Sequence, residues 1–282
     1  MREIDSTHGN SRKAWSDVVQ MPYEERLQKP RQKGLTMIID KGLGVSALEE
    51  MLIMSGDYID VVKFSFGTSA LYPESVLLDK MSLLRDWELC VCPGGTFSEL
   101  ALMQGKYPAY LEYAERVGFN GIEISDGAIE ISRQEKRKAI EMARDRGFTV
   151  ISEVGKKHPA DSLPIEQLAW QMIEDLQIGA DYVILEARES GRGVTIFDES
   201  GEIQSEGLQM ILDIIGDASR DRIIWEAPRP AQQKEFVLGL GCNVNLGNVS
   251  PGEALAVEAL RLGLRGDSLR EYFRSNGRIL VR

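Results

Sequence analysis

The chain has 282 residues, 43% of them hydrophobic, and a formal net charge of −11. That size and composition allow one large α/β domain or two small ones with a sizeable core, and exclude wholesale disorder. The acidity argues against nucleic acid or an anionic membrane as the main partner, since both need a basic footprint, but a local cluster of cations can still bind a small anion.

Residues 1–29 read as an N-terminal extension, partly flexible. Its opening, "MREIDSTHGNSRKAW", is polar and does not resemble a secretory signal. "SDVVQMPYEERLQ" predicts a short helix. From Lys33 a regular rhythm begins. Eight strand candidates follow: "GLTMIID" (34–40), "YIDVVKF" (58–64), "ELCVCP" (88–93), "FNGIEIS" (119–125), "FTVISEV" (148–154), "DYVILEA" (181–187), "RIIWEA" (222–227) and "CNVNL" (242–246). Helical patterns such as "SALEEMLIMSG", "PAYLEYAERVG", "RQEKRKAIEMARDRG", "PIEQLAWQMIEDLQIG" and "PGEALAVEALRLGL" lie between them, several ending in a glycine that caps the helix before the next strand. Apolar strands separated by helices mean a parallel sheet covered on its outside. Eight units over residues 30–270 predict a single (β/α)8 TIM barrel, with 271–282 as a tail. A doubly wound open sheet is the competing architecture, but the first turn, "DKGLG", lacks that fold's full glycine fingerprint.

No apolar run approaches membrane-spanning length. Cys90 and Cys92 sit in a strand pattern and read as small core residues; with only His8 and His158 in the chain, a zinc site lacks ligands. Without a disulfide framework, a reducing, cytoplasmic location is expected.

Catalytic residues of such barrels sit at the C-terminal ends of the strands. All eight ends here are polar: Asp40 and Lys41; Lys63; "PGGT" with Glu99 beyond; Glu123 and Ser125; Glu153 with Lys156 and Lys157; Glu186 and Arg188; Glu226; Asn243 and Asn245. Alternation with period two points Lys63 and Ser65, Glu123 and Ser125, Glu153 and Lys157, Glu186 and Arg188, and Asn243 and Asn245 into one mouth. Any single one of these charges reads more readily as a loop charge or a salt bridge to a neighbouring helix. Together, a ring of carboxylates and cations calls for a metal and an anion, because burying unpaired ions is costly. Carboxylate oxygens suit Mg²⁺, with Glu123, Glu153, Glu186 and Glu226 as candidate ligands. After the eighth strand, Ser250 reads as a helix N-cap with Pro251 following, and Gly247 would allow an anion to approach closely.

In this order, "DKGLG", "GDYIDVVKFSFGTS", "CPGGTFSE", "GFNGIEISDG", "EVGKK", "DYVILEARESG", "WEAP" and "NVNLGN" resemble the phosphosulfolactate synthase family. The resemblance covers roughly residues 30–270 and implies a (β/α)8 barrel that adds sulfite to phosphoenolpyruvate with Mg²⁺, giving (2R)-phospho-3-sulfolactate. In methanogens that is the first step towards coenzyme M, and relatives occur in bacteria. It also implies that Lys157, the second lysine of "GKK", protonates C2 of an enolate-like intermediate. Neighbouring cations are expected to lower its pKa for that task. Arg188 and Lys63 would hold phosphate or carboxylate, and Lys41, Lys156, Ser125, Asn245, Gly247 and Asn248 would complete the substrate-binding set. A homo-oligomer is expected.

The chain departs from the family where Ser65 and Phe66 replace the usual Gly-Trp pair after Lys63. That keeps two other readings in view. One is a phosphoenolpyruvate or enolate lyase using another nucleophile. The other is a non-catalytic, heat-stress-associated homologue.

Overall fold

The computed structural model describes residues 13–276. His8, the start of the extension and the end of the tail lie outside them. Ten α-helices and eight strands alternate as β1 (Thr36–Asp40), α1 (Val45–Ser55), β2 (Val61–Phe64), α2 (Glu74–Asp86), β3 (Cys90–Pro93), α3 (Gly95–Met103), α4 (Tyr107–Val117), β4 (Gly121–Ile124), α5 (Arg133–Asp145), β5 (Thr149–Val154), α6 (Ile165–Ile178), β6 (Tyr182–Leu185), α7 (Ser205–Arg220), β7 (Ile223–Glu226), α8 (Pro230–Leu240), β8 (Asn245–Val249), α9 (Ala254–Arg261) and α10 (Gly266–Ser275).

All ladders are parallel, in the order β3-β2-β1-β8-β7-β6-β5-β4. β3 and β4 close the ring without a ladder. Asn120, just before β4, spans the gap: its Oδ1 accepts the Val91 N–H at 2.6 Å and its Nδ2 donates to Leu89 O at 2.9 Å. Gly121 permits that approach, since a Cβ there would lie 2.7 Å from Cys90 Sγ. This is the expected TIM barrel.

Period-two alternation splits each strand between two cores. Outward residues such as Ile38, Val62, Val91, Ile122, Val150, Val183 and Trp225 pack under the helices. Inward residues Met37, Val61, Cys92, Ile151, Ile184 and Ile224 fill the barrel. Burial pushes the Cys90 thiol up to about 12, so it is held as an inert packing group.

Two local expectations fail. Residues 16–28 form turns, not a helix, and Pro22 interrupts the pattern. The extension instead anchors under the barrel through Arg26, which is buried and pairs with Glu258 at 2.9 Å. β8 also begins three residues later than the apolar pattern suggested.

Candidate active site

The inward column of each strand turns from apolar to charged at its C-terminal end. Lys63 from β2, Glu123 from β4, Glu153 from β5, Glu186 just after β6 and Glu226 from β7 meet there, all buried. Lys63 Nζ lies 2.9 Å from Glu123, 3.2 Å from Glu226 and 3.5 Å from Glu153. Gly155, at φ +127°, turns the chain after β5, and Lys157 reaches back to Glu153 at 2.7 Å and Glu186 at 3.1 Å. These groups line a chamber of about 210 Å³ together with Ser65, Arg188 and Asn248. A second cleft of about 430 Å³ adjoins it past Asn248, edged by Lys41 and Ser250.

The electrostatics are unbalanced. Four buried carboxylates face two ammonium groups and one guanidinium. Burial pushes Glu123 up to about 7, against the pull of Lys63. Burial, then repulsion from Glu153 and Glu226, raises Glu186 well above the usual carboxylate range. Burial likewise raises Glu226. Glu153 is the exception: Lys157 and Lys63 overcome its burial and hold it below the usual range. Lys157 is therefore not acidified as the resemblance led us to expect. Its burial is outweighed by Glu153 and Glu186, which raise its pKa and keep it an ammonium.

Several polar atoms in the chamber are unspent. Arg188 Nε and Nη2, Ser65 Oγ and Asn248 Oδ1 are buried without a hydrogen-bond partner. Nε and Nη2 form the edge of a guanidinium that grips an oxyanion with two parallel bonds. The backbone is strained at the same place: Phe66, Arg188, Thr195 and Asn248 all have φ between +47° and +59°. Such strain persists only where the surrounding structure holds it, and it concentrates at functional sites.

Among the described residues, no three His, Cys, Asp or Glu side chains are gathered to hold a metal by themselves. Lys63 and Lys157 stand between the carboxylates instead. The donor set still fits Mg²⁺, which takes one or two carboxylates and fills its shell with water and substrate oxygens. Glu153 and Glu186 lie close enough to share a hydrogen bond. A dication between them would relieve the repulsion that raises Glu186.

The (2R)-phospho-3-sulfolactate synthase (ComA) family model matches residues 24–267. Over 246 residues the chain is 42% identical to the phosphosulfolactate synthase of Methanocaldococcus jannaschii, covering 86% of this chain and 97% of that one. The chain belongs to the phosphosulfolactate synthase family. The Bacillus subtilis member is 38% identical, over 86% of this chain and 95% of its own. The Arabidopsis thaliana protein Heat-stress-associated 32 is more distant, at 22% identity over 84% of this chain and 89% of that one. Among solved structures, the 3-hexulose-6-phosphate synthase of Salmonella typhimurium aligns at a TM-score of 0.53 and 12% identity, covering 82% of this chain and 100% of that one. Phosphonopyruvate hydrolase with oxalate and Mg²⁺ aligns at 0.52 and 14%, over 87% and 83%. These two share the barrel.

Of the residues expected from the sequence, the structure gathers Lys63, Glu123, Glu153, Lys157, Glu186, Arg188, Glu226 and Asn248 around one chamber. Other expected residues lie elsewhere. Asn245 starts β8 at the opposite end of the barrel, bonding Leu35 N and Ile223 O. Asn243 lies before that strand and holds Leu27 N. The three-residue shift of β8 moved both down, leaving Asn248 at the mouth. Gly247 sits inside β8, where a Cβ would press on Met37 and Ile224, so its smallness serves packing. Ser125 is buried and spends its hydroxyl on Glu99. Lys156 bonds Asp126 O at 2.5 Å, outside the chamber. Lys41 is exposed on the rim and pairs with Glu189. Asp40 faces outward to Lys80. Ser250 makes no side-chain cap, and the chain enters α9 through a 3₁₀ turn.

The "PGGT" turn does meet an anion, but the protein's own: Gly95 N–H, at the start of α3, donates to Glu123 at 2.6 Å. Ser65, which shares strand parity with Lys63 two residues before it, does line the chamber as that alternation predicts.

Proposed function

We propose that the protein adds sulfite to phosphoenolpyruvate in this chamber, giving (2R)-phospho-3-sulfolactate. The observation that carries the reading is the unpartnered Nε–Nη2 edge of Arg188, opening into the same chamber as Lys157. Two anionic reactants repel each other, and a paired set of cations is what brings them together. Arg188 grips the phosphate or carboxylate of phosphoenolpyruvate, and Lys63 offsets charge on the other reactant. The sulfur lone pair attacks C3, and the C2–C3 π electrons move to C2 and its carboxylate. Lys157 donates its proton to C2 from one face and is reprotonated from solvent. Its contacts with Glu153 and Glu186 keep that proton in place until substrate arrives. Mg²⁺, held by Glu153 and Glu186 with Glu226 or Glu123 beside them, would supply positive charge where negative charge develops. Residues that meet this charge only as it forms lower the barrier instead of merely tightening binding.

Phosphorus NMR of the protein with phosphoenolpyruvate, sulfite and Mg²⁺ tests the reading. A new phosphomonoester signal that requires sulfite and disappears with EDTA is expected. Unchanged phosphoenolpyruvate would refute it. One observation favours a second reading, a different nucleophile: Ser65 Oγ adds an unpartnered hydroxyl beside Lys63. In that case phosphoenolpyruvate would still raise the thermal midpoint while sulfite failed to react.

A further inference from the structure

Glu99 lies on α3, 1% exposed, and does not touch the chamber. A carboxylate in such a place is costly unless strong donors meet it. Four do. Its Oε1 accepts the Ser125 hydroxyl and Gly127 N–H at 3.2 Å; its Oε2 accepts Ala128 N–H at 2.9 Å and Ile129 N–H at 2.8 Å. Successive backbone N–H groups wrapped around one anion form a nest, here filled by the protein itself. The carboxylate thus fixes the loop between β4 and α5.

The far side of that loop carries the "GKK" segment. Gly127 O accepts Lys157 N–H at 2.9 Å. A Cβ at position 127 would lie 3.2 Å from Lys157 Cγ and 3.3 Å from its Nζ, so the loop runs along the lysine stem. Lys156 Nζ donates to Asp126 O at 2.5 Å and Oδ2 at 3.1 Å. Residues 126 and 127 therefore hold both lysines, and Glu99 holds residues 125–129. We infer that Glu99 is a positioning residue that sets Lys157 against its target carbon through the loop after β4. Lys157's role as proton donor is taken from the function proposed above; the positioning itself is geometric.

Glu99→Gln is a sharp probe. Each oxygen accepts at least one backbone N–H, so whichever side receives the amide NH₂ sets it against a fixed donor. In the sulfite-addition assay, kcat should fall about 100-fold, the scale of a misplaced reacting group, with little change in KM for phosphoenolpyruvate. In a Lys157→Ala background, the same change should cost nothing more, because the residue acts through the lysine. Glu99→Asp, which keeps the charge, should recover part of the loss. Equal losses with and without Lys157, or a change in KM alone, would make Glu99 a general structural staple and overturn the inference. If Glu99→Gln does not fold, Ser125→Ala removes one donor only; it should lower kcat with Lys157 present and not in its absence, and unchanged kcat would count against us. A second readout does not need the reaction. The side-chain NMR resonance of Lys157, assigned by its loss in Lys157→Arg, should shift or broaden in Glu99→Gln. An unmoved resonance overturns the positioning role even where turnover is found, whereas a moved resonance in a protein inert towards sulfite would uphold it and sink only the proposed reaction.

Discussion

Two buried lysine–carboxylate clusters lie back to back across β5. On the inner face, Glu153 meets Lys63 and Lys157 among three more glutamates. On the outer face, Lys136 from α5 meets Asp126 at 3.1 Å, Asp175 at 3.0 Å and Glu153 O at 2.6 Å. Asp175 also accepts the Ser152 hydroxyl and pairs with Arg133 at 2.6 Å. Both clusters bury their carboxylates. They differ in what is left over. Lys136 uses its donors on protein acceptors, and Asp126, despite its burial, is held below the usual range by Lys136 and Lys156. The inner cluster carries surplus anions, three glutamates pushed up, and unpartnered atoms on Arg188, Ser65 and Asn248. Burial of charge therefore does not mark a site here, and neither does one unpartnered atom, since Arg133 Nη1 in the outer cluster has no partner either; surplus anions gathered with several unpartnered atoms around one chamber do.

The contrast breaks most visibly with two lysine variants. Lys157→Ala should cost about 10²–10⁴-fold in turnover, the usual worth of a positioned proton donor, with the fold intact. Near-normal rates in the coupled assay would place the chemistry elsewhere. Lys136→Met should do the reverse. Leaving Asp126 to Lys156 alone and Asp175 to Arg133 alone should cost up to about 3–5 kcal/mol of stability, read by urea unfolding. A loss within error would mean the outer cluster is no structural core.

The smallest effect sharpens the comparison through pH. Glu123 binds its proton more tightly when folded, so it favours folding below about pH 4.5, and that advantage is lost as pH rises through about 7. Asp126 binds its proton less tightly when folded, so its contribution is present above about pH 3.8 and is lost as pH falls further. In metal-free protein, Glu123→Gln should flatten the thermal midpoint between about pH 4.5 and 7. Asp126→Asn should act only on the acid limb. The same profile in both variants would show that the two clusters titrate as one.

Much of this was legible in the sequence. Strand number, barrel class and the inward column ending in Lys63, Glu123, Glu153, Glu186 and Glu226 follow from period-two alternation, which needs no partner to be read. What failed had local causes. In "CNVNLGNV" every second residue is small or polar, so the apolar pattern could not fix where β8 starts, and Asn245 was placed at the wrong end. Ser125 kept its strand parity until Glu99 captured its hydroxyl, a contact 26 residues away in sequence. Lys157 was read from nearby cations, whereas its actual neighbours are carboxylates, Glu153 four residues back on β5 and Glu186 after β6. Tertiary partners, not propensities, decide each of these.

The seam at Asn120 has a consequence for motion. Seven joints of the ring are backbone ladders; the eighth is a single amide side chain near the base and the Gly95–Glu123 bond at the mouth. A ring with one such clasp should open there at the least cost, which predicts that the fluctuations of the barrel concentrate between β3 and β4. The clasp shares Glu123 with Lys63. Whatever rearranges that carboxylate on binding an anion also tightens or loosens the whole hoop.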